Sequence, residues 1–150
     1  MNQTELNEAF DRAANGYGLG LPKDCRGLDF SGKTFYGWGI YNTDFTGSKF
    51  VNTKFTAVNL EECNFTDCDL RGTSFGQCRL IKAIFKGARL NTKTNFSHAE
   101  LAEANFAGCD MAPLFSGGNL PFVKNIDKAI IAAIKGEKAA VQTKTLSQIT

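Results

Sequence analysis

From Phe30 onward a large apolar residue recurs at every fifth position, at 30, 35, 40, 45, 50, 55, 60, 65, 70, 75, 80, 85 and 90. One extra residue intrudes around Thr92-Lys93, and the series resumes at Phe96, Leu101, Phe106 and Met111, which makes seventeen repeats. A period of five fits neither the 3.6 of an amphipathic helix nor the 2 of a half-buried strand. A fixed short period sustained over this length is the signature of a coiled, solenoid-like chain. Two places before each large residue sits a mostly small one, as at Thr43, Ser48, Thr53, Cys63, Thr73 and Ala83. The place just before is often Asp or Asn, as at Asp29, Asp44, Asn59 and Asn64. Between Phe55 and Leu80 the large residues alternate Phe and Leu. Three repeats per turn would mix the two types in every stacked column, so the alternation favours an even number.

The flanks carry other patterns. Residues 1–25 predict a short helix and a glycine-rich link, with Thr4 as N-cap, Glu5 and Glu8 in the first turn, and a stripe of Leu6, Ala9, Phe10 and Ala13. Gly16 supplies a stop, and the following GYGLG lacks the spacing of a phosphate loop. Residues 116–150 leave the repeat at Ser116-Gly117-Gly118 and Pro121. Asn125 is placed to cap a helix whose stripe includes Ile126, Ile130 and Ile134. A solenoid end exposes apolar rungs and unpaired edges. This helix is therefore expected to cover the last coil or to pair with its copy in a homodimer.

Segments such as CNFTD, CDLRG, AELAE and ANFAG resemble the pentapeptide-repeat family over residues 26 to about 115. The resemblance implies an all-β solenoid. It would be a right-handed quadrilateral β-helix of about four coils, with four repeats per coil and short N-terminal and C-terminal helices. Central and minus-two side chains would point inward. Two columns are then pure phenylalanine, Phe35-Phe55-Phe75-Phe96 and Phe45-Phe65-Phe85-Phe106. Between them run Ile40-Leu60-Leu80-Leu101 on one side and Phe30-Phe50-Leu70-Leu90-Met111 on the other. The expected domain organisation is a cap over 1–25, the β-helix over 26–115, and a loop, helix and polar tail over 116–150.

Composition narrows the function classes. Charged residues are 21% and the net charge is +2, so neither a polybasic nucleic-acid binder nor an acidic protein is announced. No run approaches eighteen apolar residues, and the first residues show no secretory signal. Five cysteines fit a reducing compartment, and a cytosolic protein, or one delivered into a cytosol, is expected. Cys63, Cys68, Cys78 and Cys109 all fall at the small inward position and read as core filler. His98 is the one histidine, on an outward corner of SHAEL. No nucleophile elbow, phosphate loop or metal-ligand spacing is present, so no enzyme activity, cofactor or metal is expected.

The outward departures from the repeat carry what functional signal there is. Tyr36, Trp38 and Tyr41 crowd the first coil, where small or polar residues are the rule. They either pack beneath the N-terminal helix or offer a partner-binding patch, since Tyr and Trp are common anchors. Glu61-Glu62 is the clearest acidic spot, and Asp29, Lys49, Asp69, Arg89 and Asp110 alternate in sign along one wall. The expected function is a non-enzymatic, rigid protein-interaction module of the effector or inhibitor type. The alternative implied by the resemblance is a DNA-mimicking inhibitor or protector of DNA gyrase. The repeat region holds ten Lys/Arg against nine Asp/Glu, which is not an acidic stripe. A protein partner is expected, with no direct binding to nucleic acid and none to membrane.

Overall fold

Each five-residue repeat makes one wall of a square coil, and the walls stack by parallel bridges. The computed structural model describes residues 1–14 and 20–116. One row of bridges joins Asp24, Asp44, Asn64, Ile84 and Asn105; a second joins Asp29, Lys49, Asp69 and Arg89. A third runs through Gly39, Asn59, Arg79 and Glu100. The fourth wall forms a parallel sheet of β1 (Thr34–Tyr36), β2 (Lys54–Thr56) and β3 (Ser74–Gly76), extended by a bridge from Ser74 to Asn95. The architecture is the expected right-handed quadrilateral β-helix. Stacking starts at Asp24, one repeat before the first large residue of the series. Cys25, five residues before Phe30 and outside the run of large apolar residues, is the first central residue and is buried below Phe45.

The core follows the predicted columns. Phe35 lies 4.6 Å from Phe55, Phe55 5.3 Å from Phe75, and Phe75 4.9 Å from Phe96, with rings within 16° of parallel. The opposite column stacks at 5.3, 5.2 and 4.7 Å from Phe45 to Phe106. Between the two columns the rings meet edge to face, as at Phe65 and Phe75 (5.6 Å, 76°) and at Phe85 and Phe96 (5.5 Å, 88°). Offset stacking within a column and edge contacts across it are the two arrangements the ring quadrupole favours. Each buried Phe also removes apolar surface worth roughly 1.5–3 kcal/mol from water.

The minus-two position has a second duty beside small size. Ser48, Thr53 and Thr73 donate their hydroxyls to the carbonyls of Cys25, Phe30 and Phe50 one coil below, at 2.8, 2.8 and 2.7 Å. Cys63, Cys68 and Cys109 do the same with their thiols toward Ile40, Phe45 and Phe85. Burial pushes Cys63, Cys68 and Cys78 up to about 12, so these thiols stay protonated. The Asp/Asn preference just before the centre has an equally local cause. The side-chain oxygens of Asp29, Asp44, Asn64 and Asn105 each accept the N–H two residues on, closing an Asx turn at the corner.

Two places after the centre the backbone turns left-handed. Seven glycines, among them Gly27 and Gly108, and nine other residues, including Asn42, Ala57 and Gln77, have φ between 54° and 73°. This is the φ > 0 position of a tight turn, which glycine and asparagine occupy most readily. The corner at Thr92 is the exception, and the inserted residue lies there. The N–H of each corner residue usually donates to a carbonyl on the next coil, as Asn52 does to Arg71 at 3.0 Å. Gly72 instead donates to the Asn91 side-chain oxygen at 2.9 Å. Asn91 thus replaces the carbonyl that the insertion displaces.

Helix α1 (Gln3–Ala14) closes the lower end. Its N-cap is Asn2 rather than the expected Thr4. Asn2 Oδ1 accepts the Glu5 N–H at 2.9 Å, and Glu5 Oε2 accepts the Asn2 N–H at 2.8 Å, a reciprocal capping box. Leu6 and Ala9 are buried and Phe10 sits edge-on to Phe35 at 5.2 Å, so the predicted stripe faces the first coil. At the other end Met111 and Leu114, the latter in α2 (Ala112–Ser116), are buried. The expected helix through Ile126, Ile130 and Ile134 lies outside the described residues.

Candidate functional site

With the interior filled, the chemistry available to a partner is on the outward positions. The first-coil aromatics, predicted as one group, divide. Trp38 takes a minus-two place that is too narrow for an indole, so its ring is drawn under α1. It is half-buried, 5.5 Å from Phe35 and 6.5 Å from Phe10. Lys33, another large minus-two residue, places its ammonium 5.0 Å from the Phe10 ring centroid. Trp38 and Lys33 therefore belong to the packing of the cap. Tyr36 and Tyr41 are 72% and 51% exposed, and apart from Met1 they are the exposed large hydrophobics among the described residues.

Tyr36 ends β1, and the residues stacked on it are Thr56 and Gly76. Small neighbours leave its ring standing free of the wall. Tyr41 lies between Ile40 and the left-handed corner residue Asn42, and Lys23 holds it from below. The Lys23 ammonium lies 4.2 Å from the Tyr41 ring centroid and donates to the Tyr41 carbonyl at 2.6 Å. Beside Tyr41 is a shallow depression of about 330 Å³ lined by Tyr41, Asn42, Asn59, Glu61 and Glu62. The structure therefore brings three predicted residues, Tyr41, Glu61 and Glu62, to one place, with Tyr36 in the neighbouring repeat.

The acidic character expected there is tempered. Glu61 accepts from Arg79 at 3.1 Å, a diagonal pair between successive coils. Glu62 occupies a left-handed corner at φ 58° and is exposed. Lys23 and Arg79 thus match the two carboxylates in number. Along the alternating wall, Arg71 binds Asp69 through both Nε and Nη2, at 2.8 and 2.6 Å, and Arg89 approaches Asp69 to 3.9 Å. The Arg71 bonds hold the Asp69 carboxyl below the usual carboxylate range. The surface is one of alternating charge, suited to a polar, mixed interface.

Sequence reasoning missed Lys23 and Arg79 as parts of this site. Lys23 lies in the segment read as a link, and Arg79 reaches the site only through stacking. Among the described residues, no group of three His, Cys, Asp or Glu could hold a metal ion, and no helix is long and apolar enough to cross a membrane. His98 is exposed on a left-handed corner at φ 60°.

A family model described as pentapeptide repeats (8 copies) matches residues 59–91 and 92–112. Among solved structures, the chain is similar to the pentapeptide repeat protein Rfr23 of the cyanobacterium Cyanothece 51142. The TM-score is 0.57 at 19% identity, over 61% of this chain and 61% of that one. It is also similar to a trypsin-treated form of QnrB1, a plasmid-mediated fluoroquinolone resistance protein, with TM-score 0.52 and 22% identity over 59% of this chain and 47% of that one. A pentapeptide repeat protein from the Arabidopsis thaliana thylakoid lumen matches at 30% identity and TM-score 0.41, over 57% of this chain and 55% of that one. The matched part spans less than two thirds of each of these proteins. No curated protein sequence matches the chain.

Proposed function

Because the chain belongs to the pentapeptide-repeat family, we propose that it is a rigid, non-enzymatic module that binds a protein partner and modulates it, as an effector or inhibitor does. The observation that carries this reading is the contrast between its inside and its outside. The core is closed by stacked phenylalanines, while Tyr36 and Tyr41 stand exposed on the first coil. A tyrosine offers a large contact area for the loss of two torsions, and the rigid wall beneath it needs no ordering on binding. Five free cysteines, four of them buried, support work in a reducing cytosol.

The test is retention from a lysate of the native host on immobilised protein, with wild type and a Tyr36→Ser/Tyr41→Ser variant side by side. The reading expects a protein held by wild type and lost by the variant, with an unchanged melting temperature. Equal retention by both forms, or none by either, counts against it.

A second reading, a DNA-mimicking inhibitor or protector of DNA gyrase, draws support from the likeness of fold to QnrB1. Against it stand the charge balance of the repeat and the neutralisation of Glu61 by Arg79 and of Asp69 by Arg71. A supercoiling assay with gyrase separates the two. Inhibition or quinolone protection at micromolar protein favours mimicry, and no effect favours the protein-interaction reading.

A further inference from the structure

The insertion at Thr92-Lys93 leaves a second depression in the wall, of about 340 Å³, lined by Val51, Asn52, Arg71, Asn91, Thr92 and Lys93. It arises because the corner over Gly72 is not closed in the regular way. Thr92 and Lys93 are exposed, and over Gly72 the Asn52 side chain takes the place that a side chain there would occupy, so Asn52 lines the depression in its stead. The lining holds two cations and no carboxylate. Asp69 lies next to it and takes Nε and Nη2 of Arg71, leaving Nη1 uncommitted among the described residues. Arg89 also approaches Asp69, so two arginines share that one carboxylate, and Lys93 has no ion pair among the described residues. Asn91 is fixed in orientation: its Oδ1 accepts from Gly72 N–H at 2.9 Å and from Lys93 N–H at 3.0 Å. Its amide nitrogen must therefore point away from those two donors, as a further hydrogen-bond donor at the lining.

We infer that this corner is a carboxylate-binding subsite that takes an acidic side chain from a protein segment. Arg71 Nη1 and Lys93 Nζ supply charge, and the Asn91 amide supplies a directed donor. A guanidinium edge beside an ammonium suits a planar, two-oxygen anion. The depression is open and shallow, which fits a side chain at the rim of an interface better than an enclosed small molecule. The inference rests on the protein-interaction reading, and it adds a second contact on a different part of the surface from Tyr36 and Tyr41.

The experiment is a titration of the isotopically labelled full chain at constant ionic strength, followed by amide chemical shifts, with three probes. These are a glutamate hexapeptide, a glutamine hexapeptide and inorganic phosphate. The expected result is saturable shifts at Gly72, Asn91 and Lys93 with the glutamate peptide and none with the glutamine peptide. Affinity should drop at least tenfold in Arg71→Gln/Lys93→Gln. Lys93→Gln alone, which removes no described contact of the fold, should weaken it by a smaller factor. Shifts scattered over Lys and Arg residues elsewhere, or an unchanged affinity in both variants, would overturn the inference. So would saturation by phosphate with no response to the glutamate peptide. Because the probes are defined peptides, failure here leaves the lysate experiment on the tyrosines to stand or fall separately.

Discussion

The Gln3 side chain pairs with the backbone of Asp29 as a strand would. Asp29 N–H donates to Gln3 Oε1 at 2.8 Å, and Gln3 Nε2 donates to the Asp29 carbonyl at 2.9 Å. The other edge of that residue belongs to the ladder, where it bridges Lys49. One carboxamide thus satisfies both groups that an open coil would leave unpaired, which answers the edge problem at this wall. Gln3→Ala should lower stability by about 1 kcal/mol. A urea midpoint checks it, together with faster amide exchange at Asp29. An unchanged midpoint with unchanged exchange would mean that water serves the edge equally well.

Corner chemistry predicts opposite signs for two neighbouring kinds of substitution. Ala57 sits at φ 54° and Gly72 at φ 71°. A non-glycine residue held left-handed costs about 1–2 kcal/mol, so Ala57→Gly should stabilise by up to about 1 kcal/mol. Gly72→Ala should destabilise by at least that much, because its Cβ would meet the Asn52 side-chain amide. Thermal melts of both, and of Gly72→Ala in an Asn52→Gly background, distinguish backbone strain from the clash. Relief in the double variant identifies the clash.

At the insertion, Asn91→Ala removes the acceptor for the Gly72 and Lys93 N–H groups. Stability should fall by about 1–3 kcal/mol, whereas Asn91→Asp, which keeps an acceptor, should lose less. If the two variants melt together, the side chain is not standing in for the displaced carbonyl.

Asp69 predicts a pH dependence. Its folded pKa is lowered, first by the Arg71 side-chain hydrogen bond. An unfolded aspartate titrates near about 3.9. The unfolded chain therefore binds the proton more readily, and the contribution is complete above that value and lost as pH falls through the lower folded one. Asp69→Asn should flatten the acid limb of stability below about pH 5, where an unfolded aspartate begins to take up its proton. Parallel acid limbs for the two proteins would remove Asp69 from the account. The exposure of Arg71 means that salt should weaken the effect.

What the sequence made legible follows from which interactions are strictly periodic. Central and minus-two positions bury on every wall, so their pattern shows through, and the Phe/Leu alternation maps onto real columns. Corners were not read, although glycines at 27, 32, 37 and 47 fall on a period of five. The signal fades because Asn, Ala, Glu and Gln tolerate the same φ at other corners. Cys25 is hidden from the pattern because a thiol does not look like the first member of a phenylalanine column. Thr4 and Asn2 are both good N-cap types, and Glu5 three residues after Asn2 completes the capping box that decides for Asn2. Trp38 and Arg79 depend on tertiary placement, one on where α1 lands and the other on a diagonal between coils. No local pattern encodes either.

The central claim is that recognition belongs to the exposed tyrosines of the first coil, and site-specific photo-crosslinking tests it most directly. A photoreactive residue would replace Tyr36 or Tyr41 in turn, with the exposed Lys86 on another wall as control. The account predicts a discrete crosslinked protein in the native host from positions 36 and 41, and none from position 86. Equal products from all three positions, or a product from 86 alone, would contradict it.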